Sequence, residues 1–202
     1  MVKRDKFPPI ILMLSGEARG GKDTVAKMMR ELIELGLSDS DGRFMVGRVA
    51  TMGFADILKS LCSRNHGYKN KKDDREILLR YGDVMRDIDI DVFVKPISHM
   101  ITVYRELGYN VFIITDTRFK NEYDYLDKYS CGVPYVIRVR SHMAHNGVSE
   151  ETKNHKSEKF DFDYDYELVL DDLSTTDGLV KTYKKIEEML LQIGDEFWSS
   201  YS

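Results

Sequence analysis

Cysteine is scarce in this chain of 202 residues. Two residues, Cys62 and Cys131, cannot build a disulfide framework or a four-thiolate zinc site, which points to a reducing compartment and a cytoplasmic location. Proline is nearly as rare, at four, and marks no linker. No apolar run approaches the roughly 20 residues of a membrane helix, so no membrane partner is expected. The stretch Ile10–Leu14 behind a basic start is too short for a secretory core. Bulk charge of one sign is also missing: 30 Lys and Arg against 34 Asp and Glu leave a net −4. That balance argues against coating nucleic acid by charge alone, while leaving room for local basic clusters. Repeats and low-complexity tracts are absent. The 42% of hydrophobic residues suffices for a core, and the length suits a single domain over 1–202 with insertions.

The apolar run Ile10–Leu14 ends in Ser15-Gly16 and reads as a buried strand. From Thr24 the period changes: Val25, Met28, Met29, Leu32 and Ile33 share one helix face, which Gly36 ends. Further strands are expected at Phe44–Ala50, Val111–Thr115, Val133–Val139 and Tyr166–Leu170, with helical segments over 54–106 (broken near 65–74), up to Tyr129, and from Leu179 to Phe197. Alternating strands and helices imply an α/β fold, a parallel five-stranded sheet flanked by helices. Ligands of such sheets sit at the carboxyl ends of the strands. The basic helical stretch at about 53–100 then reads as an acceptor-binding insertion, and the polar segment at about 141–165 as a lid.

The segment after the first strand is Gly16-Glu17-Ala18-Arg19-Gly20-Gly21-Lys22-Asp23-Thr24. Its spacing of glycine, four residues, glycine and lysine between a strand and a helix is that of a P-loop. Backbone N–H groups of such a loop cradle phosphates, the helix N-terminus adds a positive dipole end, and Lys22 supplies a point charge. The bland alternative is a glycine-rich turn with a surface lysine. Position 23 is Asp where a hydroxyl residue usually holds Mg²⁺. Asp23 is open to two readings, a metal ligand or an N-terminal charge favoured by the helix dipole.

Asp116 and Arg118 follow the strand Val111–Thr115, where a carboxylate would orient Mg²⁺ and an arginine would face the phosphate in transfer. The alternative makes Asp116 a helix cap and Arg118 a solvated charge. After Phe54-Ala-Asp56 the stretch carries Lys59, Arg64, Lys69, Lys71, Lys72, Arg75, Arg80 and Arg86. Phe54, Asp56, Lys59, Arg75, Arg80 and Arg86 are expected at the substrate, and Arg80 with Arg86 suggests a clamp for an acceptor phosphate. Arg138 and Arg140 end a strand and open the expected lid, where they would neutralise charge on the moving phosphoryl group. A P-loop, a basic insertion and a lid, without the base-reading Asn-Lys-x-Asp of GTPases, suit phosphoryl transfer to a phosphorylated small molecule.

Together, Gly16–Thr24, Phe54-Ala-Asp56, Arg80-Tyr-Gly-Asp83 with Arg86, Thr115-Asp-Thr-Arg-Phe-Lys-Asn-Glu122 and His155-Lys-Ser-Glu158 resemble the bacteriophage deoxynucleoside monophosphate kinases. The resemblance implies a nucleoside-monophosphate-kinase-like fold, ATP and Mg²⁺ as cofactors, a deoxynucleoside monophosphate as substrate and, for a phage protein, the host cytoplasm. It implies Gly16, Ala18, Arg19, Gly20, Gly21, Lys22, Asp23 and Thr24 at ATP, with Arg80, Arg86 and Arg118 towards the acceptor. The chain departs from the family at Asp171–Gly178, where a shorter asparagine-glycine turn is expected near the adenine. It is also similar to animal-type phosphomevalonate kinase. Two further alternatives are a kinase of a modified base within DNA, with Asp56 as base, and an ATP-binding protein without turnover. Phe197-Trp198 is open to two readings, a homodimer contact or a cap on the core.

Overall fold

The computed structural model describes residues 7–38, 44–45, 47–67, 75–142, 159–160 and 162–201, with backbone only at 37–38, 44–45, 66 and 75. Along the chain run β1 (Ile10–Ser15), α1 (Lys22–Leu35), β2 (Leu37–Ser38), β3 (Phe44–Met45), β4 (Arg48–Met52), α2 (Phe54–His66) and α3 (Arg75–Ile88). They are followed by α4 (Val94–Glu106), β5 (Tyr109–Thr117), α5 (Lys120–Tyr129), β6 (Val133–Arg140), β7 (Tyr166–Val169) and α6 (Thr176–Ser199).

Five strands form one all-parallel sheet in the order β4-β5-β1-β6-β7. All six residues of β1 are buried, because a central strand of a parallel sheet is covered on both faces. Its side chains alternate between two cores. Ile10, Leu12 and Leu14 pack with α1 and α6, while Ile11 and Met13 pack with Phe54 of α2, Ile97 of α4 and Leu126 of α5. The chain builds β4 and β5 on one side of β1, then crosses to β6 and β7 on the other. The carboxyl end of β1 is therefore the switch point of the sheet, where a ligand crevice opens.

The structure revises three of the expected elements. The strand expected at Phe44–Ala50 divides: Phe44–Met45 pairs with Leu37–Ser38 in a small antiparallel ribbon, and only Arg48–Met52 joins the main sheet. Gly47 lies at the break, where a Cβ would come 1.8 Å from the Asn110 side chain, so β5 crowds the chain at that point. The strand expected at Val111–Thr115 extends to Thr117, which puts Asp116 inside the strand rather than after it. Helix α6 starts three residues earlier than its apolar period suggests. Thr175 caps it, its Oγ1 accepting from Gly178 N at 3.0 Å.

At the opposite end of the sheet Phe197 is buried, and its ring meets Trp198 at 5.3 Å, while Phe7 meets Trp198 at 4.9 Å edge-on. Phe197 and Trp198 thus pack on the core of the chain itself. Most of the segment expected to be a lid, 143–158 and 161, lies outside the described residues, and so do Lys69, Lys71, Lys72 and His155–Glu158.

Candidate active site

The loop between β1 and α1 turns on three residues with positive φ: Gly16 at 140°, Arg19 at 60° and Gly21 at 84°. At Gly16 no side chain fits, since a Cβ would stand 2.3 Å from the carbonyl oxygen of Val139 on the neighbouring strand β6. Lys22 opens α1 and folds back over the loop. Its Nζ donates to the carbonyl oxygens of Gly16 and Glu17, each at 2.7 Å, and the residue is only 9% exposed. An ammonium held inside a backbone concavity at a helix N-terminus is an anion site in chemical character. ATP phosphates fit such a loop. Asp23 and Thr24 stand exposed on the first turn of α1, where they can reach a metal beside those phosphates. Among the described residues no three His, Cys, Asp or Glu side chains converge as a metal site. Mg²⁺ beside a nucleotide needs only one or two protein ligands, the rest being phosphates and water.

Asp116, the carboxylate expected to orient Mg²⁺, bonds the backbone of α2. Its Oδ1 accepts from Phe54 N at 2.8 Å and its Oδ2 from Ala55 N at 2.7 Å, so it caps α2 from across the sheet. Burial pushes its pKa up, and the two N–H donors and Arg118 oppose that shift. The cap reading thus holds for α2, a helix distant in sequence, rather than for the helix that follows Asp116. Asp56 points towards the same place: a Cβ on Gly53 would lie 3.1 Å from Asp116 and 3.2 Å from Asp56 Oδ2. The other oxygen of Asp56 bonds Lys59 Nζ at 2.7 Å. Phe54, expected at the substrate, is 2% exposed and belongs to the core with Met52, Phe93 and Ile97. Its contribution at the site is its backbone N–H.

The expected Arg80–Arg86 clamp does not form. Six residues on a helix correspond to about 600°, which leaves the two side chains on different faces. Arg80 is 81% exposed and 3.8 Å from Glu76, a surface pair on its own helix. Arg86 is turned inward at 17% exposure. Its guanidinium lies between the rings of Phe93 at 4.7 Å and Phe119 at 4.4 Å, and its Nη2 is 3.9 Å from Glu122 Oε1. Burial lowers the Arg86 pKa; Glu122 and Asp83 oppose this, and the nearby Arg118 adds to it. Arg118 itself is half-buried at the end of β5. Arg75 begins α3, and its side chain lies outside the description.

Glu122 is 3% exposed, with its pKa raised to about 7, chiefly by burial. Its Oε2 accepts from Arg118 N at 2.7 Å and from Phe119 N at 3.1 Å. Beside it, Asn121 Nδ2 donates at 3.0 Å to both Ile90 O and Asp91 Oδ1, tying α5 to the turn before α4. These roles of Phe93, Phe119, Asn121 and Glu122 were not read from the sequence. A glutamate in the third position of a helix was the one available signal, since that residue often reaches back to bond the N–H groups at the helix start.

On the other flank, Arg138 donates to Ser15 Oγ at 3.3 Å and to the carbonyl oxygens of Phe160 and Phe162 at 3.4 and 3.1 Å. The rings of Phe160, Phe162 and Tyr164 surround it at 5.3, 5.8 and 4.9 Å. Its pKa is lowered by burial first and by Arg140 second. Arg138 therefore pins the chain returning towards β7. Arg140 is 60% exposed and pairs across the strands with Glu167 at 2.6 Å. Gly16, Arg138, Arg140, His142, Phe160 and Val169 line an open cleft of about 380 Å³ beside the loop.

No protein-family model matches the chain, and no curated protein matches it either. Among solved structures it is similar to a gluconokinase from Sinorhizobium meliloti, at 11% identity over 98% of this chain and 100% of that one, with a TM-score of 0.48. It is similar also to an APS kinase from Mycobacterium tuberculosis, at 14% identity over 92% and 99%, TM-score 0.45. A third is a shikimate kinase from Bacteroides thetaiotaomicron, at 14% over 90% and 98%, TM-score 0.45. Likenesses this distant carry neither a substrate nor a residue role to this chain.

Proposed function

We propose that the protein is a phosphotransferase that moves the γ-phosphoryl group of ATP to the 5′-phosphate of a deoxynucleoside monophosphate, giving the diphosphate. One observation carries this reading. The buried Lys22, at the start of α1 after β1, and Arg118, directly after the adjacent strand β5 with Arg86 of α3 nearby, stand at the same end of the sheet. Such an arrangement suits a donor phosphate and an acceptor phosphate side by side.

A phosphate monoester has a second pKa of about 6, so the acceptor arrives mostly as a dianion and needs no base. An acceptor oxygen attacks the γ-phosphorus, the bond to the bridging oxygen breaks, and its electron pair leaves on ADP. Asp23 and Thr24 would hold Mg²⁺, which would supply neutralisation of the phosphate charge. Lys22 exchanges its contacts with the Gly16 and Glu17 carbonyls for phosphate oxygens. Arg118 and Arg86 hold the acceptor against repulsion from the donor.

The test is ADP formation, with Mg²⁺, against the four deoxynucleoside monophosphates, their ribose counterparts and mevalonate 5-phosphate. Lys22→Met is expected to lower turnover by about a hundredfold or more, and an active variant would overturn the assignment. Asp56 favours one second reading, because a hydroxyl acceptor needs a carboxylate base and Asp56 is the exposed carboxylate beside Asp116. Asp56→Asn separates the two: activity on a phosphate acceptor stays within about threefold, whereas activity on a hydroxyl falls about a hundredfold.

A further inference from the structure

The carboxylate of Glu122 links the backbone of Arg118 to the guanidinium of Arg86, two residues from different parts of the chain. Arg118 directly follows β5, and Arg86 reaches in from α3, 32 residues earlier. Through Oε2, Glu122 holds the backbone N–H groups of Arg118 and Phe119; through Oε1 it faces the Arg86 guanidinium. Phe119, fixed by the same bonds, forms one of the two aromatic walls around Arg86. On the far side of Arg86 its own helix closes the space: a Cβ at Gly82 would come within 3.1 Å of Arg86 Nη1 and 3.3 Å of Leu58 Cδ2. The guanidinium is thus confined by two rings and by its own helix, and Glu122 supplies the charge it faces. A buried carboxylate in this position is costly unless it is paired and hydrogen-bonded. Helix capping alone would not require the second oxygen to face an arginine.

We propose that Glu122 is a positioning residue of the acceptor site, setting Arg86 and Arg118 as one anion clamp of fixed spacing. The inference rests on the phosphotransferase reading for what the clamp holds. The two roles of Glu122 can be separated by substitution. In Glu122→Gln the amide oxygen still accepts from Arg118 N and Phe119 N, but an NH₂ group replaces the oxygen that faces Arg86. The cap is kept and the charge pairing is lost.

The experiment compares wild type, Glu122→Gln, Arg86→Met and the double variant, each as the full chain. Acceptor and ATP kinetics are measured with the best deoxynucleoside monophosphate. Glu122→Gln is expected to raise the acceptor KM about tenfold while the KM for ATP stays within about twofold. In the Arg86→Met background the same change should alter the acceptor KM by less than about twofold, because the residue through which Glu122 acts is gone. An unchanged acceptor KM in Glu122→Gln overturns the proposal, and so does an effect of equal size in the Arg86→Met background. A second readout needs no substrate: the exchange with water of the Arg86 Nε–H, followed by NMR, should speed up about tenfold in Glu122→Gln. If wild type fails to turn over any monophosphate yet Arg86 loosens in the variant, the acceptor assignment falls and the control of Arg86 by Glu122 stands. Unchanged exchange refutes that control whatever the substrate.

Discussion

At the scale of single residues, the site is a set of charges buried against their solvation preference. Glu122 has its pKa raised to about 7 from an ordinary value of 4.5, because desolvation outweighs two backbone donors and an arginine. Between those values the native protein binds more protons than the unfolded chain, so this group's contribution is present at low pH and is lost as pH rises through 7. Relative to Glu122→Gln, which does not titrate, wild type is expected to gain about 1 kcal/mol of stability between about pH 8 and pH 6, read from urea unfolding at both. A difference between the two proteins that does not change with pH would contradict this. Lys22 was legible from the glycine spacing around it, whereas Glu122 was not. Its environment comes from Arg86 and Phe93, 36 and 29 positions away.

At the scale of elements, side chains of the candidate site act as fasteners between segments. Asp116 holds the start of α2 through two N–H groups, an anion at a helix N-terminus where the backbone has unsatisfied donors. Asp116→Asn keeps one acceptor and loses the charge, and is expected to cost about 1–2 kcal/mol of stability, measured by denaturant midpoint. Arg138 fastens the chain before β7 through two carbonyls and three rings. Arg138→Ala should release that segment, with amide exchange at 162–165 faster by about tenfold or more while exchange in β1 keeps its protection. Periodicity in α3 is enough to show why Arg80 and Arg86 part company: they share a helix but not a face. Which of them turns inward depends on α5, which the sequence of α3 does not contain.

At the scale of the whole molecule, the order β4-β5-β1-β6-β7 brings the glycine-rich loop, the β5 carboxylate and the β6 arginines to one end of the sheet. Close approach at that end is what makes Gly16 irreplaceable. Adding a methyl group in Gly16→Ala would force β1 away from Val139 at a backbone φ that alanine resists. The variant is expected to lose about 2 kcal/mol or more, seen as a lower melting temperature together with weakened ATP binding. Retention of both at wild-type values would show that the β1–β6 contact is less strict than the structure has it.

The sequence by itself determined the parallel α/β architecture, the position of the glycine-rich loop and its lysine, and most of the elements. Those features are written locally, in runs of apolar residues, helical periods and glycines at set spacing, and local patterns survive without their tertiary neighbours. Only the tertiary structure decided that Asp116 caps α2, that Phe54 is core, that Arg80 is surface, and that Glu122 confronts Arg86. Apart from Arg80, whose pair with Glu76 is within its own helix, each depends on contact between residues far apart in sequence. The burial that gives a carboxylate or a guanidinium its character belongs to the packed molecule, since neither the residue nor its neighbours in the chain carries it.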